Sequence, residues 1–351
     1  MIEYKIVLML IFFGWKDFSR IMPPVTPTGV PGGHLYMLFR PEFVKKYKKP
    51  LCSDAYSRFV QNQPDREEHK KEVDEATEHL LNSVIPEFSV TLVKTLDETK
   101  ELRGDFTSFR LTEYLHSFGI NVRYLGQVLL HMPNKTNGAY RTFLIVEMVA
   151  RVAKNMVRTL LRGAMKCIEV PIDEPYRKEV IQTLNRIFGK PNDYKQCWQK
   201  IRQGVLQKFG IFNLQLLNFP ADLRAHIFGQ HEEKNVDFPF LLFTRIQQMM
   251  GFKFTATLID FLSKHHAIYE YARVFDETDL EDLGERVKHL GFIFPYFPFY
   301  SKTFDIPSEK TSSPMPRGSS SPPEQMRRKN LATLWLPNIF MNRDCLLTKR
   351  L

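Results

Sequence analysis

The chain is predicted to fold as a mostly α protein: a multi-helical body, a small α+β part near the N-terminus and a disordered C-terminal tail. Three observations carry this. Apolar residues recur at helical spacing through most of the sequence. Few segments alternate with period two, as half-buried strands do. From Ser301 onward Pro and Ser accumulate with too few apolar residues to repay the entropy of ordering.

The elements follow in order. Ile6 to Trp15 is an apolar run of ten residues, too short for a bilayer span of about 20. It lacks a basic leader or a small-residue cleavage site, so a buried strand or core helix is the expectation. Residues 20–34 form a Pro/Gly connector, and Leu35–Phe43 reads as a short strand ahead of the cluster Lys45, Lys46, Lys48 and Lys49. From Asp65 the period is helical, with Val73, Ala76, Leu80, Leu81, Val84 and Ile85 on one face. Helices are predicted over 87–97, 107–118, 121–131, 139–163, 173–188, 193–207, 240–250, 254–264 and 276–289. The division is therefore 1–32 (segment and connector), 33–300 (helical domain) and 301–351 (basic tail).

Gly119 stands where a helix needs a left-handed residue to stop, and Asn121 where the next needs an N-cap. Arg123 and Tyr124 then fall in a first helical turn. A cation there opposes the helix dipole, which points to a partner, either a buried carboxylate or an external anion.

Between Arg141 and Lys166 there are six basic residues and one acid, Glu147. Arg151, Lys154, Arg158 and Arg162 recur every three or four residues and align in one stripe. Glu147 is placed to pair with Arg151 at i, i+4. Such a stripe suits phosphate neutralisation; its plainer readings are a solvated face or pairing with the acidic helix of Glu67, Glu68, Glu72, Asp74, Glu75 and Glu78. Tyr47 among its lysines, and Trp198 near Lys195, Lys200 and Arg202, repeat the mixture of rings and cations that single-stranded nucleic acid favours.

The formal charge is +10, which favours anionic partners without choosing among RNA, acidic proteins and lipid head groups. Four dispersed cysteines form no CxxC pair, so neither a zinc site nor a disulfide framework is expected. The sequence carries no phosphate loop, dinucleotide fingerprint, HExxH or nucleophile elbow. His265-His266 point apart on a helix with no carboxylate to complete a metal set. The expectation is a cytoplasmic non-enzyme with no cofactor, no metal and no transmembrane segment.

The segment Gly119-Ile120-Asn121-Val122-Arg123-Tyr124-Leu125-Gly126 resembles the Gly-Ile-Asn-x-Arg-Tyr-Leu-Gly signature of the Clu (clustered mitochondria) family central domain. That domain is also described as the translation initiation factor 3 large-subunit-like region. Leu35–Val44, followed by Pro50–Phe59, is similar to an upstream block of the family, and Val146–Arg158 to a downstream Glu-Met-x-Ala-Arg helix. The resemblance covers about residues 33–166, with a weaker echo at Asp282–Leu290. Family members carry an N-terminal extension and a C-terminal helical-repeat region, and this chain shows no repeat. The resemblance implies a module binding messenger RNA, or ribosome- and initiation-factor-associated proteins, and connected with mitochondrial distribution. On that reading Arg151, Lys154, Arg158 and Arg162 contact phosphate, while Arg123 and Tyr124 hold or extend the surface. No DNA partner is expected, and the alternative is a protein-interaction scaffold that binds no RNA. The sequence leaves the oligomeric state open.

Overall fold

The computed structural model describes residues 22–27, 32–57, 62–103, 106–165, 174–210, 219–229, 236–264 and 274–284. All belong to the first of two units, Met1–Phe297. The apolar run at 6–15, the His265-His266 pair and the tail from Ser301 lie outside the described residues.

The architecture is mostly α. Helix α1 spans Pro41–Lys46 and α2 spans Arg66–His79. A π turn, Leu80–Val84, joins α2 directly to α3, Ile85–Arg103. Pro86 accounts for the widening, because its nitrogen has no hydrogen for the preceding turn and its ring crowds that turn's carbonyl. There follow α4 (Leu111–Ser117), a 3-10 turn (Val122–Tyr124) and α5 (Leu125–Leu130). Next come α6 (Gly138–Met165), α7 (Glu174–Phe188) and α8 (Tyr194–Phe209). The short α9 (Leu223–Phe228) precedes α10 (Phe238–Met250) and α11 (Ala256–Lys264).

Helix α6 is the hub, packing on α5, α7, α8, α9 and above all α10. Its buried side carries Phe143, Val146, Val149, Val152, Ala153, Val157 and Leu161, an apolar stripe repeating every three or four residues. Aromatic rings knit these helices together. Phe106 meets Tyr140 and Phe143, and Phe188 meets Phe243 and Phe275.

Three expectations change. Residues 35–43 do not form a strand: Leu38 makes one isolated bridge to Pro24, and α1 begins at Pro41, whose fixed φ suits a first helical turn. The helix expected at 121–131 opens as a 3-10 turn. The described part of the helix expected at 276–289 is a 3-10 turn, Glu277–Asp279, running into strand β2, Leu280–Asp282. Asp276 and Asp279 cap each other's backbone there. Leu280 then pairs with Phe254 of β1, Lys253–Phe254, so tertiary pairing overrides helical spacing.

Helix α7 holds this returning segment. Asn185 accepts from the Val274 and Phe275 amides at 2.7 and 2.8 Å and donates to the Phe275 carbonyl at 2.9 Å. Arg177 donates to the carbonyls of Leu280 and Glu281. Replacing Asn185 with Ala strands buried backbone groups, so a loss of about 2 kcal/mol is expected. The amides of Val274 and Phe275 should then exchange with solvent faster than the rest of the core. Unchanged exchange at those two amides would show that the bracket is dispensable.

Candidate nucleic-acid interface

The surface of α6 that faces away from the core carries the basic stripe. Arg162 is exposed, and Lys154 and Arg158 are half-buried. Arg151 sits deeper, 14% exposed, and donates to the Thr112 hydroxyl of α4 at 2.6 Å. Glu147, 3% exposed, stands 3.9 Å from Arg151, which is the pairing anticipated from spacing. Its nearer partner comes from α10: Arg245 Nε lies 2.5 Å from Glu147 Oε1. That contact is an ion pair, not an aligned hydrogen bond, since Nε finds no acceptor in line. The other end of Arg245 donates to the carbonyls of Phe106 and Phe109 at 3.0 and 2.7 Å.

The corner at 119–126 forms as its sequence implies. Gly119 has φ 78°, and Asn121 accepts from the Arg123 amide at 3.1 Å. A Cβ on Gly119 would stand 2.6 Å from the Phe43 backbone, so α1 seats directly on the corner. Arg123 does have a partner, but neither of the two anticipated kinds. Its guanidinium donates to the Tyr36 carbonyl at 3.1 Å, tying the corner to the N-terminal turn. Burial lowers the pKa of Arg123 and raises that of Tyr124. Burial first, then the charge of Arg40, pushes His116 down to about 4, so it stays neutral at physiological pH.

The stripe and the corner are neighbours. Arg151 reaches Thr112 on α4, whose end is the corner, and the 3-10 turn packs on α8 beside α6. The other ring-and-cation groups divide differently. Tyr47 stacks on Phe43, Lys46 donates to the Ser117 carbonyl, and Trp198 is buried with its indole N–H on the Ile187 carbonyl. The acidic α2 sends Glu75 to Lys49 and Glu67 to Lys70. These are packing and local pairing roles.

One cation escaped the sequence reading. Lys208, in the last turn of α8, lies where its charge is opposed by Lys154, Arg151 and Arg158. The helix anticipated over 193–207 stopped one residue before it, whereas Gly210 ends α8 with φ 64°. A cavity of about 400 Å³ lies elsewhere, between Phe106–Ser108 and α10. Its lining holds one ionisable side chain, Asp237, which caps α10 by accepting from the Phe240 amide at 2.9 Å. Among the described residues, no three His, Cys, Asp or Glu side chains gather as metal ligands, and no helix is long and apolar enough to cross a membrane.

Residues 106–190 match the family described as translation initiation factor eIF3 subunit 135. A clustered mitochondria protein homolog from Caenorhabditis briggsae is 28% identical over 281 residues, covering 73% of this chain and 20% of its own length. The homolog from Danio rerio is 36% identical over 259 residues, covering 65% and 17%. The chain resembles the Clu family. A third Clu relative, from Neosartorya fischeri, is 32% identical over 183 residues and is covered over 13% of its length. The chain thus spans a fifth or less of these Clu relatives. No solved structure matches it. The eIF3-type match contains Arg123, Tyr124, Arg151, Lys154, Arg158 and Arg162, whereas Lys208 and Arg245 lie beyond it.

Proposed function

We propose that this chain is a non-catalytic, cytoplasmic Clu-type module whose basic α6 face binds RNA, in work connected with translation or with the distribution of mitochondria. The supporting observation is the alignment of Lys154, Arg158 and Arg162 at successive turns of one helix. Cations so spaced track a phosphodiester backbone and gain affinity by releasing counterions. Arg151 backs this face while tied to Thr112, and Arg123 and Tyr124 hold the corner behind it. The names of the relatives supply the connection to mitochondria and to initiation-factor-associated partners; the basic face supplies the chemistry.

Ultraviolet crosslinking of the tagged chain in its own cells, with sequencing of attached RNA, tests the proposal. Crosslinks should map within residues 120–165. The triple variant Lys154→Glu, Arg158→Glu, Arg162→Glu should lose at least tenfold in RNA affinity while keeping its helical circular dichroism. Removing three phosphate contacts should also flatten the slope of log K against log salt by about 2. Unchanged RNA retention by a folded triple variant would place the site elsewhere. A second reading, a protein-interaction scaffold, draws on the internal engagement of Arg123 and Arg151. Co-purifying proteins without crosslinked RNA would favour it.

A further inference from the structure

Residues 22–27 lie as a strap between the segment 37–39 and helix α2. On one side the Val25 amide donates to the Met37 carbonyl at 2.8 Å and the Phe39 amide to the Pro23 carbonyl at 2.9 Å, with Pro24 bridging to Leu38. On the other side, among the described residues, Thr26 alone makes the strap's polar contacts with α2. Its hydroxyl donates to the Asp74 carboxylate at 2.6 Å, and its amide donates to the Thr77 hydroxyl at 3.0 Å. Thr77 in turn donates to the Val73 carbonyl at 2.8 Å, and the Tyr56 hydroxyl donates to the same Asp74 oxygen. Val25 is buried in the core, whereas Thr26 and Pro27 are half-buried. One hydroxyl near the surface thus fastens the strap.

That hydroxyl also stands in a particular sequence. Thr26-Pro27 is the one Thr-Pro or Ser-Pro pair among the described residues. Proline holds the residue before it extended and offers no N–H of its own. Proline-directed kinases select such a pair, taking the acceptor in an extended segment and the proline in a groove that has no partner for an N–H. A phosphate on Thr26 is incompatible with the latch. It replaces the donor hydrogen with a charge of about −1.5 to −2 facing the Asp74 carboxylate. The nearby cations of α2 act elsewhere, Lys70 on Glu67 at 2.7 Å and Lys71 on Glu75.

We propose that Thr26 is a phosphorylation site for a proline-directed protein kinase, and that its modification releases the strap 22–27 from α2. The Thr26 hydroxyl oxygen attacks the γ-phosphorus of ATP, and the bond from that phosphorus to the bridging oxygen of the β-phosphate breaks. ADP leaves, and the hydroxyl proton passes to the carboxylate base of the kinase. Presenting Thr26 requires only its two hydrogen bonds to α2 to open, a local event rather than unfolding. The release reaches the corner. The strap pairs with Met37 and Phe39, directly after Tyr36, whose carbonyl holds Arg123. Modification of Thr26 therefore loosens the tie between the N-terminal turn and the corner. The proposal is independent of what the α6 face binds.

The test is incubation of the full chain with ATP and a purified proline-directed kinase, followed by peptide mass spectrometry. Thr26 should take one phosphate, and Pro27→Ala should lose it. Ser313 and Ser321, each also followed by proline, report that the kinase works on this chain. Phosphate absent from Thr26 overturns the site, and equal labelling of Thr26 in Pro27→Ala overturns the proline-directed class. Hydrogen exchange at the Thr26 amide reads the release. It should quicken at least about tenfold in the phosphorylated chain and in Thr26→Glu. Thr26→Val, which loses the hydroxyl and adds no charge, should show a smaller gain. Unchanged or slower exchange in the phosphorylated chain would mean that α2 retains the strap, through a cation such as Lys71, and overturns the release.

Discussion

Replacing Glu147 with Ala should destabilise the fold by about 3–5 kcal/mol, the usual cost of stranding one partner of a buried ion pair. Glu147 is 3% exposed and Arg245 8% exposed, so water cannot readily replace the missing carboxylate. The two Arg245 hydrogen bonds to the Phe106 and Phe109 carbonyls hold its guanidinium in place and prevent it from swinging outward. Arg151 loses its carboxylate neighbour as well but keeps Thr112. Glu147→Gln, which retains an acceptor of the same shape, should cost distinctly less. Urea unfolding of the three chains measures this. A loss below about 1 kcal/mol in Glu147→Ala would mean that Arg245 finds solvent, and that the pair is not the pin between α6 and α10.

Gly119→Ala should cost about 2–5 kcal/mol for two separable reasons. A non-glycine residue at φ 78° pays about 1–2 kcal/mol in backbone strain. The added Cβ also meets the Phe43 backbone at 2.6 Å, where no rotamer change gives relief, so overpacking adds about 1–3 kcal/mol. Gly119→Asn separates the two. Asparagine tolerates the left-handed region, so if strain dominates it should recover much of the loss. If the seat of α1 dominates, Asn is as harmful as Ala. Thermal unfolding with the natural chain as reference distinguishes the cases. Neither variant shifting the midpoint would contradict the close contact with Phe43.

The corner was legible because its determinants are local. Gly119 and Asn121 adopt the conformation and the cap that their chemistry favours, whatever packs around them. The hub helix was legible too, since an apolar face that long has one periodic solution. Arg123 was read half correctly. Spacing revealed that it needs a partner, but a backbone carbonyl from 87 residues earlier leaves no trace in composition. Residues 276–284 misled for a related reason. Their helical spacing is real, but Asn185, Arg177 and Phe254 supply tertiary bonds that a helix would forfeit. Lys208 was missed because helix ends are the least certain part of a periodic pattern. Its significance comes from α6, a helix distant in sequence.

Arg245 closes the body over a long interval of chain, bonding to the Phe106 carbonyl across 139 residues. A ribosome adding about 5–20 residues per second needs roughly 7–28 s to cover that interval. During that time Glu147 has emerged without the arginine that neutralises it, and α6 without α10. The order of synthesis therefore sets the order of folding. The segments up to α5 can condense early, whereas the hub helix, able to pack on α5, α7, α8 and α9, waits for residues 238–250 to cover the rest of its apolar side. A nascent chain stalled before Arg245 is the form in which this protein most needs a chaperone.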